Sequence, residues 1–170
     1  MVTLFKKDLE KRIAISYNIV WPIAEFAVDA LKNTDFSFVC GEHTLFSCSE
    51  ERKADGAILF QSSIEICLLE VSGKYKLNDI SRVSYDHVKG CFGVLTMLNA
   101  IIKKYYKATI HTSMTLKSLF LHARGECIFL WSLEICHNKL YAFQKVYQTK
   151  VPLSFQYNLM MRPILYPASE

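Results

Sequence analysis

Long uncharged runs, paired cysteines, glycine and proline are what this sequence is short of. Its two longest stretches without a formal charge are Ile13 to Ala24 and Gly90 to Ile102. Both fall short of the ~18 residues that a membrane-spanning helix needs, so no membrane partner is expected. The opening Met-Val-Thr-Leu-Phe-Lys-Lys-Asp-Leu-Glu-Lys-Arg has acidic residues and no small-residue cleavage site, which argues against a secretory signal. An intracellular protein, cytoplasmic or nuclear, is the expectation. With 6 glycines and 4 prolines in 170 residues there is no flexible linker, and no repeat or low-complexity tract appears. A single domain over residues 1–170 is therefore expected, long enough to bury a real core. The six cysteines form no CxxC pair, and Cys136-His137 lacks a second pair at ligand spacing. Four of them sit inside apolar, element-like stretches, so reduced core cysteines are expected rather than disulfides or zinc.

What the sequence does have is apolar patterning. About half of it is apolar and 21% is charged, which excludes disorder. A net charge of +4 permits a nucleic-acid partner without demanding one. Helical spacing of Ile19, Ile23, Phe26, Ala27, Ala30 and Leu31 predicts a helix over 17–33, with Pro22 in a first turn or at a kink. Ser37 to Cys40 reads as a short strand and His43 to Arg52 as a loop. Ala57 to Phe60 and Ile64 to Val71 read as two strands around Ser62-Ser63. A long helix follows, its stripe made of Ile80, Val83, His87, Val88, Cys91, Val94, Leu95, Leu98, Ile101, Ile102 and Tyr105. Further strands are expected at Leu116 to His122, Cys127 to Ile135 and Leu140 to Tyr147, with turn chemistry at Arg124-Gly125 and His137-Asn138. This order predicts an α+β domain with a mixed sheet.

Charge inside apolar strands needs a reason, because an unpaired buried charge is costly. The stretch "KADGAILFQSSIEICLLEVSGKY" carries Asp55 at one end and Glu70 at the other. If Ser62-Ser63 is a two-residue turn, Asp55 pairs with Glu70, with Cβ atoms roughly 4.5–5.5 Å apart. A wider loop would shift that register yet leave both carboxylates at one end of the strand pair. Two carboxylates so close repel unless one is protonated or a cation lies between them. Mg²⁺ or Mn²⁺, held by one or two carboxylates and a substrate phosphate, suits that spacing. Ser72 shares the face of Glu70 by the two-residue period.

Asp55-Gly56, a hairpin and then Glu70-Val71-Ser72 resemble the PD-(D/E)XK nuclease superfamily. The phrases "RKADGAIL", "EICLLEVSG" and "SYDHVKGCFGVLTML" more closely resemble a group of uncharacterised fungal proteins placed in it. The resemblance spans roughly residues 15 to 153 and implies a restriction-endonuclease-like αβββαβ core with an antiparallel C-terminal strand extension. It implies that Asp55 and Glu70 hold Mg²⁺ or Mn²⁺, with Glu25 as a further, helix-borne metal contact. The superfamily's lysine orients or activates the attacking water, but here Ser72 occupies that position. Lys74, of the same parity, is the candidate replacement, with Lys53 and Lys89 as others. A Ser72→Lys change is expected to restore the missing cation.

Plainer roles compete. Asp55 could be a turn aspartate and Glu70 a strand-end glutamate paired with Lys74 or Lys76. Glu25 could be an exposed helix residue and His87 a core histidine. Lys103-Lys104-Tyr105-Tyr106-Lys107 mixes base and aromatic as nucleic-acid faces do, or is a solvated helix end. Two functions follow: a metal-dependent nuclease cutting DNA or RNA with Asp55, Glu70, Ser72 and Lys74 at its site, or a degenerate nuclease-fold module that binds protein or nucleic acid. The discriminating feature is whether a lysine ammonium reaches the Asp55–Glu70 pocket.

Overall fold

The computed structural model describes residues 20–32, 35–73, 79–137 and 140–151. Helix α1 covers Trp21–Ala30 with Pro22 in its first turn, where a missing N–H costs nothing. Whether a helix continues upstream of Pro22 lies outside the described residues. Three strands follow, β1 (Phe36–Thr44), β2 (Lys53–Phe60) and β3 (Ile64–Ser72), then helix α2 (Ile80–Lys104) and the short α3 (Ile110–Thr115). Strands β4 (Lys117–Arg124), β5 (Cys127–His137) and β6 (Leu140–Lys150) complete the chain's elements. β1 runs longer than the sequence pattern indicates, through an irregularity between Cys40 and His43 where Gly41 has a φ of +95°. The α3 turn has no counterpart among the expected elements.

The six strands lie in one mixed sheet in sequence order. Neighbours joined by short turns are antiparallel, whereas β3 and β4 are parallel. A parallel pair needs a long crossover, and α2 supplies it. The protein is thus an α+β domain with a mixed sheet. Among the described residues no helix is long and apolar enough to cross a membrane.

Apolar clusters form on two sides. Leu68, Val94, Met97, Leu98, Phe120 and Leu133 pack together beneath α2. Val20, Leu69, Val71, Ala123 and Ile128 form a second cluster, against which Trp21 and Ile23 of the α1 region pack. The buried face of α2 differs from the expected stripe. Val83, Val94 and Leu98 are buried, but Ile80, Val88 and Tyr105 are exposed, and Asp86, Gly90 and Gly93 are buried instead. The reason is close approach. A Cβ at Gly93 would lie 2.7 Å from Leu68 Cδ1, and one at Gly90 would collide with the Phe120 ring. A stripe of glycines has no hydrophobic signal, so the apolar pattern finds Val83, Val94 and Leu98, with Leu95 and Ile102 packed against the core, but not the glycine seam beside them.

The six cysteines are free. Only Cys67 is buried, and burial pushes its thiol up to about 12, which makes it inert. Cys48, Cys91 and Cys127 are half-buried and Cys40 and Cys136 exposed, so fewer cysteines lie in the core than the four expected.

Candidate functional site

The β2–β3 hairpin sets the site. Phe60 pairs with Ile64, so the loop is Gln61-Ser62-Ser63, three residues rather than two. Gln61 and Ser62 take φ of +49° and +56°. Two-residue turns of the primed types want Gly or Asn, and Ser-Ser supplies neither. The extra residue displaces the register by one. A shift between Ile58 and Leu59, opposite Ile66, moves it back, so that Gly56 faces Leu69. Asp55 and Glu70 are therefore level, yet the backbone ladder stops one residue short of them. In its place Asp55 Oδ2 accepts a hydrogen bond from Val71 N at 2.7 Å. The Asp55 carbonyl accepts from Trp21 Nε1 at 3.0 Å, which ties α1 to the same strand end.

Glu70 is 2% exposed. Its partner comes from α2: Lys89 Nζ lies 2.8 Å from Glu70 Oε1. Burial, then the charge of Asp55, and to a lesser extent that of Asp86, push the Glu70 carboxyl up to about 8 against the pull of Lys89. Burial works to lower Lys89, but the carboxylates of Glu70, Asp55 and Asp86 outweigh it and hold the ammonium above its ordinary value. Lys89 is thus a fixed positive charge beside a carboxyl that is crowded by negative ones.

Ser72 and Asp86 explain how Lys89 arrives there. The Ser72 hydroxyl donates to Asp86 Oδ2 at 2.7 Å and lies 2.6 Å from His122 Nε2. An ionised carboxylate only accepts, so the single hydroxyl proton goes to Asp86 and His122 must donate from Nε2. Parallel pairing puts His122 level with Glu70. Asp86 and Lys89 are three residues apart on α2 and so share a face. Pinning Asp86 to β3 and β4 therefore sets the rotation of the helix that delivers Lys89. Arg82 Nε, 3.8 Å from Asp86 Oδ2, adds a second cation, and Asp79 caps the helix by accepting from Arg82 N at 3.1 Å.

Asp86, Ser72 and His122 have the composition of a hydrolase triad with the wrong wiring. A serine nucleophile needs a histidine that takes its proton and a carboxylate on that histidine's Nδ1. Here the carboxylate holds the serine proton, and His122 Nδ1 has no partner among the described residues. Burial, then His87 and Arg124, depress His122 to about 3, so the ring stays neutral. Ser72 is a buried anchor between α2 and the sheet.

The other candidates fall outside this cluster. Glu25 is exposed on α1 and, among the described residues, makes no hydrogen bond or ion pair to Asp55 or Glu70. Lys74 lies outside the described residues. Lys53 pairs with Glu42 at 3.6 Å and Glu51 at 3.5 Å. His87 sits among aromatic rings, with centroids 4.6 Å from Trp131, 5.5 Å from His122 and 5.6 Å from Phe143. Burial and Arg124 lower its pKa, so it is a neutral packing ring. Lys103 and Lys104 end α2, at ~1.5 Å per residue more than 20 Å along the helix from Lys89.

Among the described residues no three His, Cys, Asp or Glu side chains are grouped to hold a metal ion. A closed protein cage is thereby excluded there. Two carboxylates in electrostatic conflict fit the open kind of site, in which water and substrate phosphate complete the shell of Mg²⁺ or Mn²⁺. The roles of Asp86 and His122 had no signal in the sequence, because Ser72 lies 14 and 50 residues from them and meets both only once the crossover is folded. Comparison with protein families, with curated proteins and with solved structures finds no match.

Proposed function

We propose that this chain is a divalent-metal-dependent phosphodiester hydrolase of the PD-(D/E)XK kind, acting on DNA or RNA, in which Lys89 replaces the motif lysine. The 2.8 Å contact between Lys89 Nζ and Glu70 Oε1 carries the reading. It answers the deficit at Ser72 with an ammonium from the facing helix. Asp55 and Glu70 are the residues that would hold Mg²⁺ or Mn²⁺. That ion, when bound, supplies a Lewis acid for the phosphodiester and lowers the pKa of the attacking water. Lys89 is placed to stabilise charge developing on the phosphate oxygens. Ser72, Asp86 and His122 hold the helix that carries it. In this reading α1 to β4 form the restriction-endonuclease-like αβββαβ core, and β5 and β6 are the extension.

A non-catalytic nuclease-fold module that binds nucleic acid or protein is the second reading. It is favoured by the lack of a third acidic ligand among the described residues. Cleavage of single- and double-stranded DNA and RNA with Mg²⁺ or Mn²⁺ separates the two. Asp55→Asn, Glu70→Gln and Lys89→Met are each expected to lower the rate by ~100-fold or more. Calorimetry should show Mn²⁺ binding retained in Lys89→Met and lost in the two carboxylate variants. A wild-type protein that neither binds Mn²⁺ nor cuts any of these substrates refutes the nuclease.

A further inference from the structure

The site brings Asp55, Glu70 and Asp86 together beside Lys89 and Arg82, so it offers a polyanion little net positive charge. Affinity for a phosphodiester chain must come from cations elsewhere on this side of the sheet. Several sheet and helix cations are already neutralised, while Lys103 and Lys104, without an ion pair among the described residues, lie at the far end of α2. Lys53, Arg82, Lys89 and Lys117 each have a carboxylate within 4 Å. Arg124, Lys145 and Lys150 differ: among the described residues none of them forms an ion pair.

Their placement is ordered. Ser72, Arg124, Cys127 and Lys150 lie side by side across β3, β4, β5 and β6. The next row is Glu70, His122, Phe129 and Gln148, and Lys145 belongs to the row beyond, opposite Trp131. The Arg124 guanidinium carbon is 4.5 Å from the Phe129 ring centroid, and Lys145 Nζ is 5.8 Å from the same centroid. Lys145 also donates to Gln148 Oε1 at 3.3 Å. Arg124 acts electrostatically on His87 and His122, which places it on the α2 side with Lys89.

We propose that Arg124, Lys145 and Lys150 form a phosphate-binding strip that leads from the Glu70–Lys89 site across β4 to β6 and holds the backbone of a polynucleotide. This rests on the phosphodiesterase reading and deepens it. Three strand spacings of roughly 4.8 Å carry the strip ~14 Å from β3, beyond the reach of one phosphate. A mononucleotide cannot occupy it, whereas an oligonucleotide can. Phe129 lies under the two cations and serves as their platform, which leaves it unavailable for stacking a base. The strip therefore contacts backbone and carries no sequence preference.

The test separates binding from cleavage. Fluorescence anisotropy in EDTA would follow labelled oligothymidylate and, separately, oligouridylate. An Arg124→Gln/Lys145→Gln/Lys150→Gln triple variant should bind at least ~10-fold more weakly, and its slope of log K against log salt should fall by about 2, near 0.7 per lost phosphate contact. If the triple variant melts early, Lys145→Gln/Lys150→Gln, at exposed β6 positions, should still lose about 1.4 of slope. Lys103→Gln/Lys104→Gln at the far end of α2 should leave both quantities unchanged. Mn²⁺-dependent hydrolysis of bis(4-nitrophenyl) phosphate, too small to touch the strip, should be equal in wild type and triple variant. Silence of that small diester in wild type would count against the cleavage site alone, while anisotropy still judges the strip. Wild-type affinity and slope in the triple variant, or no oligonucleotide binding by wild type, overturns the inference.

Discussion

Glu70 gives the protein an unusual dependence of stability on pH in the absence of metal. Its carboxyl moves from 4.5 to about 8 on folding, chiefly through burial, so the folded state holds a proton that the unfolded chain has released. Stability from such a group is fully present below 4.5 and is lost as pH rises through about 8. The two depressed histidines act in the opposite sense. His122 falls from 6.5 to about 3, so it destabilises the fold as pH drops, an effect still felt at 6.5 and gone about one pH unit above. From pH 6.5 to 8 Glu70 is therefore the largest contributor, partly offset by the histidines. Across that window the fold should lose about 1 kcal/mol, which for a domain of this size lowers the melting temperature by about 2–4 °C. Melting followed by circular dichroism in EDTA at half-unit pH steps would measure this. Glu70→Gln, which carries no titrating proton, should flatten the profile over the same window. Added Mn²⁺ should flatten it too, by holding the carboxylate ionised. A wild-type profile that is level from 6.5 to 8, or a Glu70→Gln profile that falls as steeply as wild type, refutes the assignment of Glu70 as the buried proton holder.

Three further outcomes follow from packing and hydrogen bonding. Gly90→Ala would drive a methyl into the fully buried Phe120 ring and should cost about 1–3 kcal/mol in urea denaturation, with an unchanged midpoint counting against the close approach of α2. Glu65, buried, accepts from Phe46 N at 2.7 Å and Ser47 N at 3.0 Å and lies 2.9 Å from His43 Nε2, so Glu65→Ala should cost about 3–5 kcal/mol and expose the 45–52 loop to protease. Digestion of that loop at the wild-type rate would contradict its role as the clamp. Ser72→Lys should lower stability by several kcal/mol and leave any cleavage no faster, because the position is 1% exposed and its hydroxyl joins Asp86 to His122. Faster cleavage by that variant would restore the expectation drawn from the motif and displace Lys89 from its role.

The carboxylate pair was legible in the sequence because hairpins are local: a short loop and a period of two bring Asp55 and Glu70 to one strand end under any near register. A loop wider than two residues was an open alternative because Ser-Ser suits no two-residue turn, but the compensating shift opposite Ile66 was hidden, and the two displacements cancel. The long helix and the α+β class were legible for the same reason, since apolar periodicity over 80–104 is a short-range signal. The face of that helix was legible in part, through Val83, Val94 and Leu98, but its close approach to the sheet was decided by Gly90 and Gly93, residues that carry no hydrophobic signal and matter only when Phe120 and Leu68 arrive beneath them. The positions of Lys89, Asp86 and His122 belong to the tertiary structure alone. They depend on the parallel pairing of β3 with β4, two strands separated by a helical crossover, and on a serine that locks the rotation of that helix. Local sequence period places residues on a strand or a helix face, whereas contacts across a crossover are chosen by packing of the whole sheet.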